Sequence, residues 1–261
     1  MMTMKTPRFR KRGWGFVWRT LLAGSRADRR LLRYYAGEQL ARWIGDCWVP
    51  EDHKSWMKDE SFWRAYQRLE PRNRRSAERK YAIRELVRSL GDLPGDTAEC
   101  GVFAGGTSYF ILEQRPAGPH HLFDSFSGLS EPQPEDGVTA TNVGNWRAGD
   151  LTAPLERLRK NLASFPAARL YPGWIPTRFP EVADRSFCFV HVDVDLYQPT
   201  RDSIQFFYPR LVPGGMLVCD DYGYLNCPGA KLACDELAEQ VPEKWIALPT
   251  GQALLIKRNT A

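Results

Sequence analysis

The sequence contains no apolar run approaching the ~20 residues needed to cross a bilayer, no Cys-x-x-Cys pair, no zinc-finger spacing and no Gly-x-Gly-x-x-Gly. The first absence excludes a membrane-spanning helix. The apolar stretch near the N-terminus is short and broken by Arg19, so no secretory signal is read. Without paired cysteine motifs, Cys47, Cys100, Cys188, Cys219, Cys227 and Cys234 read as buried, reduced thiols, and a cytoplasmic location is expected. No zinc-finger spacing or single-strand-binding signature is found, and a nucleic-acid partner is not expected. The missing glycine fingerprint disfavours a nicotinamide oxidoreductase.

Acidic residues are almost absent from the front of the chain. Ten Lys and Arg residues stand against Asp28 alone in the first 35 positions, giving +9 there and −4 over the remainder of a chain whose net charge is +5. Trp14, Phe16, Val17, Trp18, Leu21 and Leu22 lie among these cations. The segment reads either as a solvated arm or as an interfacial helix making peripheral contact with the inner, anionic face of a membrane. With 261 residues, 43% of them hydrophobic, the chain can build one sizeable core. We therefore expect a basic, helical N-terminal extension over 1–75 and one α/β domain over 76–261.

Helical spacing runs loosely through Leu31, Leu32, Tyr35, Leu40, Ile44 and Trp48. It returns after Asp59-Glu60-Ser61, and again after Ser76 through Tyr81, Ile83, Leu86, Val87 and Leu90, with Gly91 closing that helix. From residue 97 the rhythm becomes strand and helix in alternation. Strands are expected at Thr97 to Phe103, His121 to Phe126, Arg169 to Tyr171, Phe187 to Val194 and Met216 to Cys219, with a terminal pair at Trp245 to Leu248 and Ala253 to Lys257. Helices are expected at Thr107 to Gln114, Thr200 to Leu211 and Ala230 to Val241, and a turn at Pro213-Gly214-Gly215. This order predicts a doubly wound, Rossmann-like sheet, mostly parallel with a C-terminal antiparallel strand. Ligands of such sheets lie beyond the carboxyl ends of the strands, and the polar motifs fall at those ends.

The first motif runs from Glu99 through Gly101, Phe103, Gly105, Gly106 and Thr107 to Ser108, closing one strand and opening a helix. Gly101 lets backbone approach a ligand, and the helix N-terminus offers free N–H groups. Asp124, 25 positions after Glu99, suits ribose hydroxyls, although it could instead cap the following turn. A carboxylate at position 99 would repel a pyrophosphate but tolerate an ammonium, which favours S-adenosylmethionine over a dinucleotide. The second motif sets His191, Asp193 and Asp195 at one strand end beside Asp220 and Asp221 at the next. Carboxylates so close repel one another unless a cation neutralises them, and oxygen ligands suit Mg²⁺ rather than zinc. Asp195 has a competing reading as the cap of the next helix, and His191 as a satisfied core histidine.

The ordered motifs Glu99-Cys-Gly-Val-Phe-Ala-Gly-Gly, Leu122-Phe-Asp-Ser-Phe-Ser-Gly-Leu129, Gly173-Trp174, His191-Val-Asp-Val-Asp-Leu-Tyr197, Tyr208-Pro-Arg-Leu-Val-Pro-Gly-Gly215, Asp220-Asp-Tyr-Gly223 and Gly229-Ala230 resemble the macrocin O-methyltransferase family over about residues 80 to 257. The resemblance implies an adenosylmethionine donor, Mg²⁺ on Asp193, Asp220 and Asp221, and Asp193 as proton acceptor, with Asp195 and His191 as alternatives. It implies that Gly101, Asp124 and Ser125 hold the donor, that Gly173 and Trp174 lie near its adenine, and that the protein is an oligomer, a dimer through its N-terminal helices. The expected acceptor is a hydroxyl of a sugar, a glycosylated metabolite or a glycan, with a Pro- and Gly-rich lid over 127–151. The alternatives are a phenolic or catecholic acceptor, and a non-catalytic scaffold in a membrane-associated biosynthetic complex.

Overall fold

A computed structural model of the chain describes residues 54–69, 76–115, 118–137 and 146–259. The basic front and the loose helical spacing over 31–48 lie outside the described residues. The chain divides into two compact units, residues 1–68 and 69–261. In the first, helix α1 (Glu60–Arg68) starts where Asp59 accepts the Phe62 N–H at 2.9 Å, the role its short acidic side chain suits. Trp56 stacks on Trp63 with ring centroids 5.6 Å apart.

The second unit is built on a seven-stranded sheet of order β3-β2-β1-β4-β5-β7-β6. Its strands are β1 (Asp96–Cys100), β2 (His120–Asp124), β3 (Ala168–Pro172), β4 (Phe187–Val192), β5 (Leu211–Cys219), β6 (Ile246–Ala247) and β7 (Ala253–Ile256). The first five are mutually parallel, whereas β7 runs antiparallel to β5 and β6 antiparallel to β7. The helices are α2 (Ala77–Ser89), α3 (Gly106–Gln114), α4 (Leu155–Asn161), α5 (Tyr197–Phe207) and α6 (Pro228–Gln240). Among the described residues, no helix is long and apolar enough to cross a membrane.

Every residue of β4 is buried, because helices cover both faces of a parallel sheet. Val190 and Val192 join a cluster with Ile204 and Phe207 of α5 and Ala230, Ala233 and Leu237 of α6. Phe189 joins the opposite one, with Ile83 and Val87 of α2 and Ile111 of α3. Strand β1 is equally buried although it carries Asp96, Thr97 and Glu99. Each polar group there has a partner: His121 and Arg185 for Asp96, His120 for Thr97, Ser108 and His191 for Glu99. The five cysteines among the described residues are free and buried.

Several boundaries depart from the sequence expectation: β1 ends at Cys100 rather than Phe103, β4 at Val192 rather than Val194, and helix α5 at Phe207 rather than Leu211. Two further departures have a plain physical cause. Pro213-Gly214-Gly215 is not a turn ahead of a short strand but lies within β5. Phe187 pairs with Leu211 while Phe189 already pairs with Met216, so the segment bulges. Backbone bonds from Gly214 N–H to Lys257 O (2.8 Å) and from Lys257 N–H to Gly215 O (2.9 Å) hold the bulge in the sheet. Helix α5 begins one turn earlier than its apolar spacing suggests, because its first amide finds a distant partner. The Tyr197 N–H donates to Asp136 Oδ1 at 2.6 Å. Asp195 makes no such cap; Leu196 stands at the cap position without a side-chain bond.

Candidate active site

The strand order reverses between β1 and β4, since the chain moves outward from β1 through β2 and β3 and then returns to β4 on its other side. Their carboxyl ends are therefore the expected ligand crevice. A cavity of about 1010 Å³ opens there, and Gly101, Phe103, Thr107, Asp124, Ser125, Trp174, Asp193, Asp195 and Asp221 are among the residues that line it.

The wall from β1 rests on close backbone approach. Gly101, at φ +82°, sits where an added Cβ would lie 1.7 Å from the Asp193 carbonyl oxygen, and the Asp193 N–H donates to Cys100 O at 2.8 Å. Of the two readings of Asp124, the cap is present. Its Oδ1 accepts the Phe126 N–H at 2.7 Å and so caps the following turn. Its Oδ2 accepts the N–H groups of Val102 and Phe103, each at 2.8 Å, and fixes the Gly101 loop. Ser125 donates to Gly128 O at 2.9 Å and shapes the entry to the 127–151 segment. The Gly173 N–H donates to Asp124 O at 2.9 Å, and this places the half-exposed Trp174 at the rim.

Behind this wall runs a buried chain of charge. Ser108 donates to Glu99 Oε2, and His191 bridges Glu99 Oε1 at 3.1 Å and Asp220 Oδ1 at 3.2 Å. The Ser108 hydroxyl is thus directed at Glu99. Burial alone would lower the proton affinity of His191, but the hydrogen bonds to Asp220 and Glu99 outweigh it and push the ring up to about 10. Burial likewise opposes the charge on Glu99 and Asp220. His120 and His191 nevertheless hold Glu99 at about 2, and His191, Arg79 and Gln252 hold Asp220 at about 2. His191 thus links the two carboxylates through both of its ring nitrogens.

The remaining acids behave in the opposite way. Asp193 is pushed well above the usual carboxylate range by burial and by the charges of Asp220 and Asp221, and Asp221 by burial, Asp195 and Asp220. Asp195 is pushed up to about 7, by burial and by Asp193 and Asp220. Its backbone takes the left-handed conformation at φ +60°, unusual for a residue with a side chain. That turn lets its N–H donate to Asp221 Oδ2 at 2.9 Å. One ligand atom from each of His191, Asp193 and Asp220 lie within 4.8 Å of one another, as do those of Asp195, Asp221 and Cys227. The expected trio Asp193, Asp220 and Asp221 thus falls across two groups, one completed by His191 and the other by Asp195 and Cys227. Their carboxylate oxygens fit a hard divalent ion, which would relieve the mutual repulsion of these acids.

The structure adds residues that sequence reasoning did not single out. Arg79 and Lys80 reach the cavity from the first turn of α2, and Arg79 pairs with Asp220. Two cations at a helix N-terminus oppose the helix dipole, and that local misfit is the signal that could have marked them. Gln252, beside β7, donates to Asp220 Oδ1 at 2.7 Å. Trp146 donates to Asn226 O at 2.8 Å and tethers the end of the 127–151 segment. No local sequence signal marks these last two.

The chain resembles curated proteins over about half its length. It is 30% identical over 148 residues to 8-demethyl-8-(2,3-dimethoxy-alpha-L-rhamnosyl)-tetracenomycin-C 4'-O-methyltransferase of Streptomyces olivaceus, covering 53% of this chain and 57% of that protein. It is 29% identical over 167 residues to demethyldecarbamoylnovobiocin O-methyltransferase of Streptomyces niveus, covering 59% and 63%. The matches thus span less than two thirds of these relatives. Among solved structures, the O-methyltransferase NovP superposes with a TM-score of 0.57 at 24% identity, over 70% of this chain and 81% of NovP. A calicheamicin methyltransferase gives 0.59 at 20% identity, over 83% of this chain and all of that one. These two likenesses show a shared Rossmann-like fold. The family model of macrocin O-methyltransferase matches residues 72–241, and the chain belongs to that family.

Proposed function

We propose that the protein is an S-adenosylmethionine-dependent, Mg²⁺-assisted O-methyltransferase acting on a hydroxyl of a sugar or glycosylated metabolite. The observation that carries this reading is the set of cavity-lining carboxylates, Asp193, Asp195 and Asp221, left uncompensated at the switch point of the sheet. The names of the relatives support the acceptor class, since one of them specifies a rhamnosyl-bearing acceptor.

When bound, the donor supplies an electrophilic methyl group, and the ion supplies positive charge that makes a nearby hydroxyl more acidic. Asp193, Asp220 and Asp221 would hold the ion. The Gly101 loop, fixed by Asp124, leaves room for the donor beside the start of α3. Trp174 covers the rim. Asp193, at the end of β4, accepts the acceptor's proton. The 127–151 segment contributes Gly128, Leu129, Glu131, Gln133 and Trp146 to the cavity wall and limits water. Its two ends are joined by backbone bonds from Leu129 N–H to Asp150 O and from Gly149 N–H to Leu129 O. Holding reactants in line then supplies much of the acceleration.

The test is a calorimetric titration with adenosylmethionine, with and without Mg²⁺, followed by methyl transfer to panels of glycosides and catechols. Asp193→Asn should abolish transfer while donor affinity stays within about three-fold, since it removes an interaction made during the reaction. Undiminished transfer in that variant removes Asp193 from the reaction. Absence of donor binding removes the methyltransferase reading, and transfer to catechols alone replaces the acceptor class.

A further inference from the structure

Of the three acids proposed to hold the ion, Asp220 has side-chain donors on both of its oxygens. A carboxylate accepts about four hydrogen bonds. Here Oδ1 takes His191 Nε2 at 3.2 Å and Gln252 Nε2 at 2.7 Å, while Oδ2 is held by Arg79 Nη1. The pair is largely buried, with side-chain exposures of 23% for Arg79 and 5% for Asp220. A cation that uses Oδ2 of Asp220 as a ligand meets the guanidinium at the same oxygen, and the two positive charges repel each other there.

Arg79 is held incompletely in this position. Its Nη2 donates to Ser76 Oγ at 2.7 Å, and its Cζ lies 5.1 Å from the centre of the Tyr224 ring. Its Nε is buried without a hydrogen-bond partner among the described residues. A buried unsatisfied donor is costly. Arg79 also stands in the first turn of α2, where the dipole disfavours a cation. Both costs are tolerated because the guanidinium neutralises Asp220. Once another cation does so, neither is offset.

Resting on the metal reading above, we infer that Arg79 is a built-in counter-cation that occupies Asp220 in the ion-free protein and competes with the divalent ion for it. Arg79 is thus a positioning residue: it sets how tightly the site binds metal and keeps Asp220 in place until metal arrives.

The experiment is Mn²⁺ binding to the full chain, measured by calorimetry, for wild type, Arg79→Gln, Arg79→Lys, Asp220→Asn and the Arg79→Gln/Asp220→Asn pair. Arg79→Gln should bind Mn²⁺ about ten-fold more tightly, an ordinary size for coupled sites. The gain should vanish in the Asp220→Asn background, because the two residues act through one contact. Ion-free Arg79→Gln should melt at a lower temperature than wild type, with Mn²⁺ closing the gap. Arg79→Lys, which keeps the charge without the planar fork, should stay near wild-type affinity. Should Arg79→Gln not fold, Arg79→Met carries the same test, removing the charge while keeping much of the bulk. Equal or weaker Mn²⁺ binding by the folded charge-removing variant overturns the inference, as a merely structural arginine would lower the melting temperature without raising affinity. Absence of Mn²⁺ binding in every protein, wild type included, overturns the metal reading together with this inference and leaves donor binding to stand separately.

Discussion

Gly101 shows how one residue sets the distance between two halves of the site. Its positive φ and the 1.7 Å that would separate an added Cβ from Asp193 O leave no room for any side chain. Gly101→Ala should therefore destabilise the fold by about 3 kcal/mol or more, combining backbone strain and overpacking. Urea denaturation measures this. A change under about 0.5 kcal/mol, the size of an ordinary surface substitution, would mean that β1 and β4 can separate freely at their ends. The glycine was legible in the sequence as a point of close approach. Its close neighbour across the sheet, the backbone of Asp193, was not, because that contact joins residues 92 positions apart. His191 followed the same logic. Its place on an apolar strand suggested a satisfied histidine, and the two carboxylates that satisfy it, Glu99 and Asp220, come from the neighbouring strand β1 and from the end of β5.

Helix α5 was legible through its apolar spacing, but its start was not. Asp195 lies in the right place along the chain to cap it and instead turns toward Asp221. The cap comes from Asp136, 61 residues earlier, which also closes its own short turn by accepting the Gln133 N–H at 2.9 Å. Gly229 of α6 makes this possible, since a Cβ there would lie 2.1 Å from Asp136 Oδ1. The glycine of the Gly229-Ala230 motif thus serves the docking of the 127–151 segment. Asp136→Ala should cost about 1 kcal/mol, as loss of a cap does, and should speed limited proteolysis between residues 127 and 151. Unchanged proteolysis would show that the segment is held by other contacts, Trp146 on Asn226 foremost.

Across the whole molecule, the sheet is locked at the end opposite the cavity by Asp96, which accepts from His121 Nε2 at 2.9 Å and Arg185 Nε at 2.7 Å. Burial opposes the charge on Asp96, but Arg185 and His121 outweigh it and hold the carboxyl below its usual range. A depressed carboxylate contributes stability above its unfolded pKa of about 3.9, and that contribution is lost as pH falls through the lower folded value. Asp96→Asn should therefore lower stability at pH 7 by about 1–2 kcal/mol, discounted because Arg185 is 45% exposed. The difference from wild type should shrink below about pH 4. A difference that persists unchanged at pH 3 would assign the effect to packing rather than charge.

The sequence by itself determined the strand-helix alternation, the parallel sheet with its antiparallel edge, the buried thiols and the acids at the carboxyl ends of β4 and β5. Those features follow from local periodicity, from the apolar runs that doubly covered strands require, and from turns that only glycine and short polar residues make. Only the tertiary structure decided how the acids divide. Asp220 and Glu99 are compensated by His191, Arg79, Gln252 and Ser108, whereas Asp193, Asp195 and Asp221 are left facing the cavity. Charge compensation depends on distances across strands and from α2, and the order of residues along the chain does not encode those distances locally.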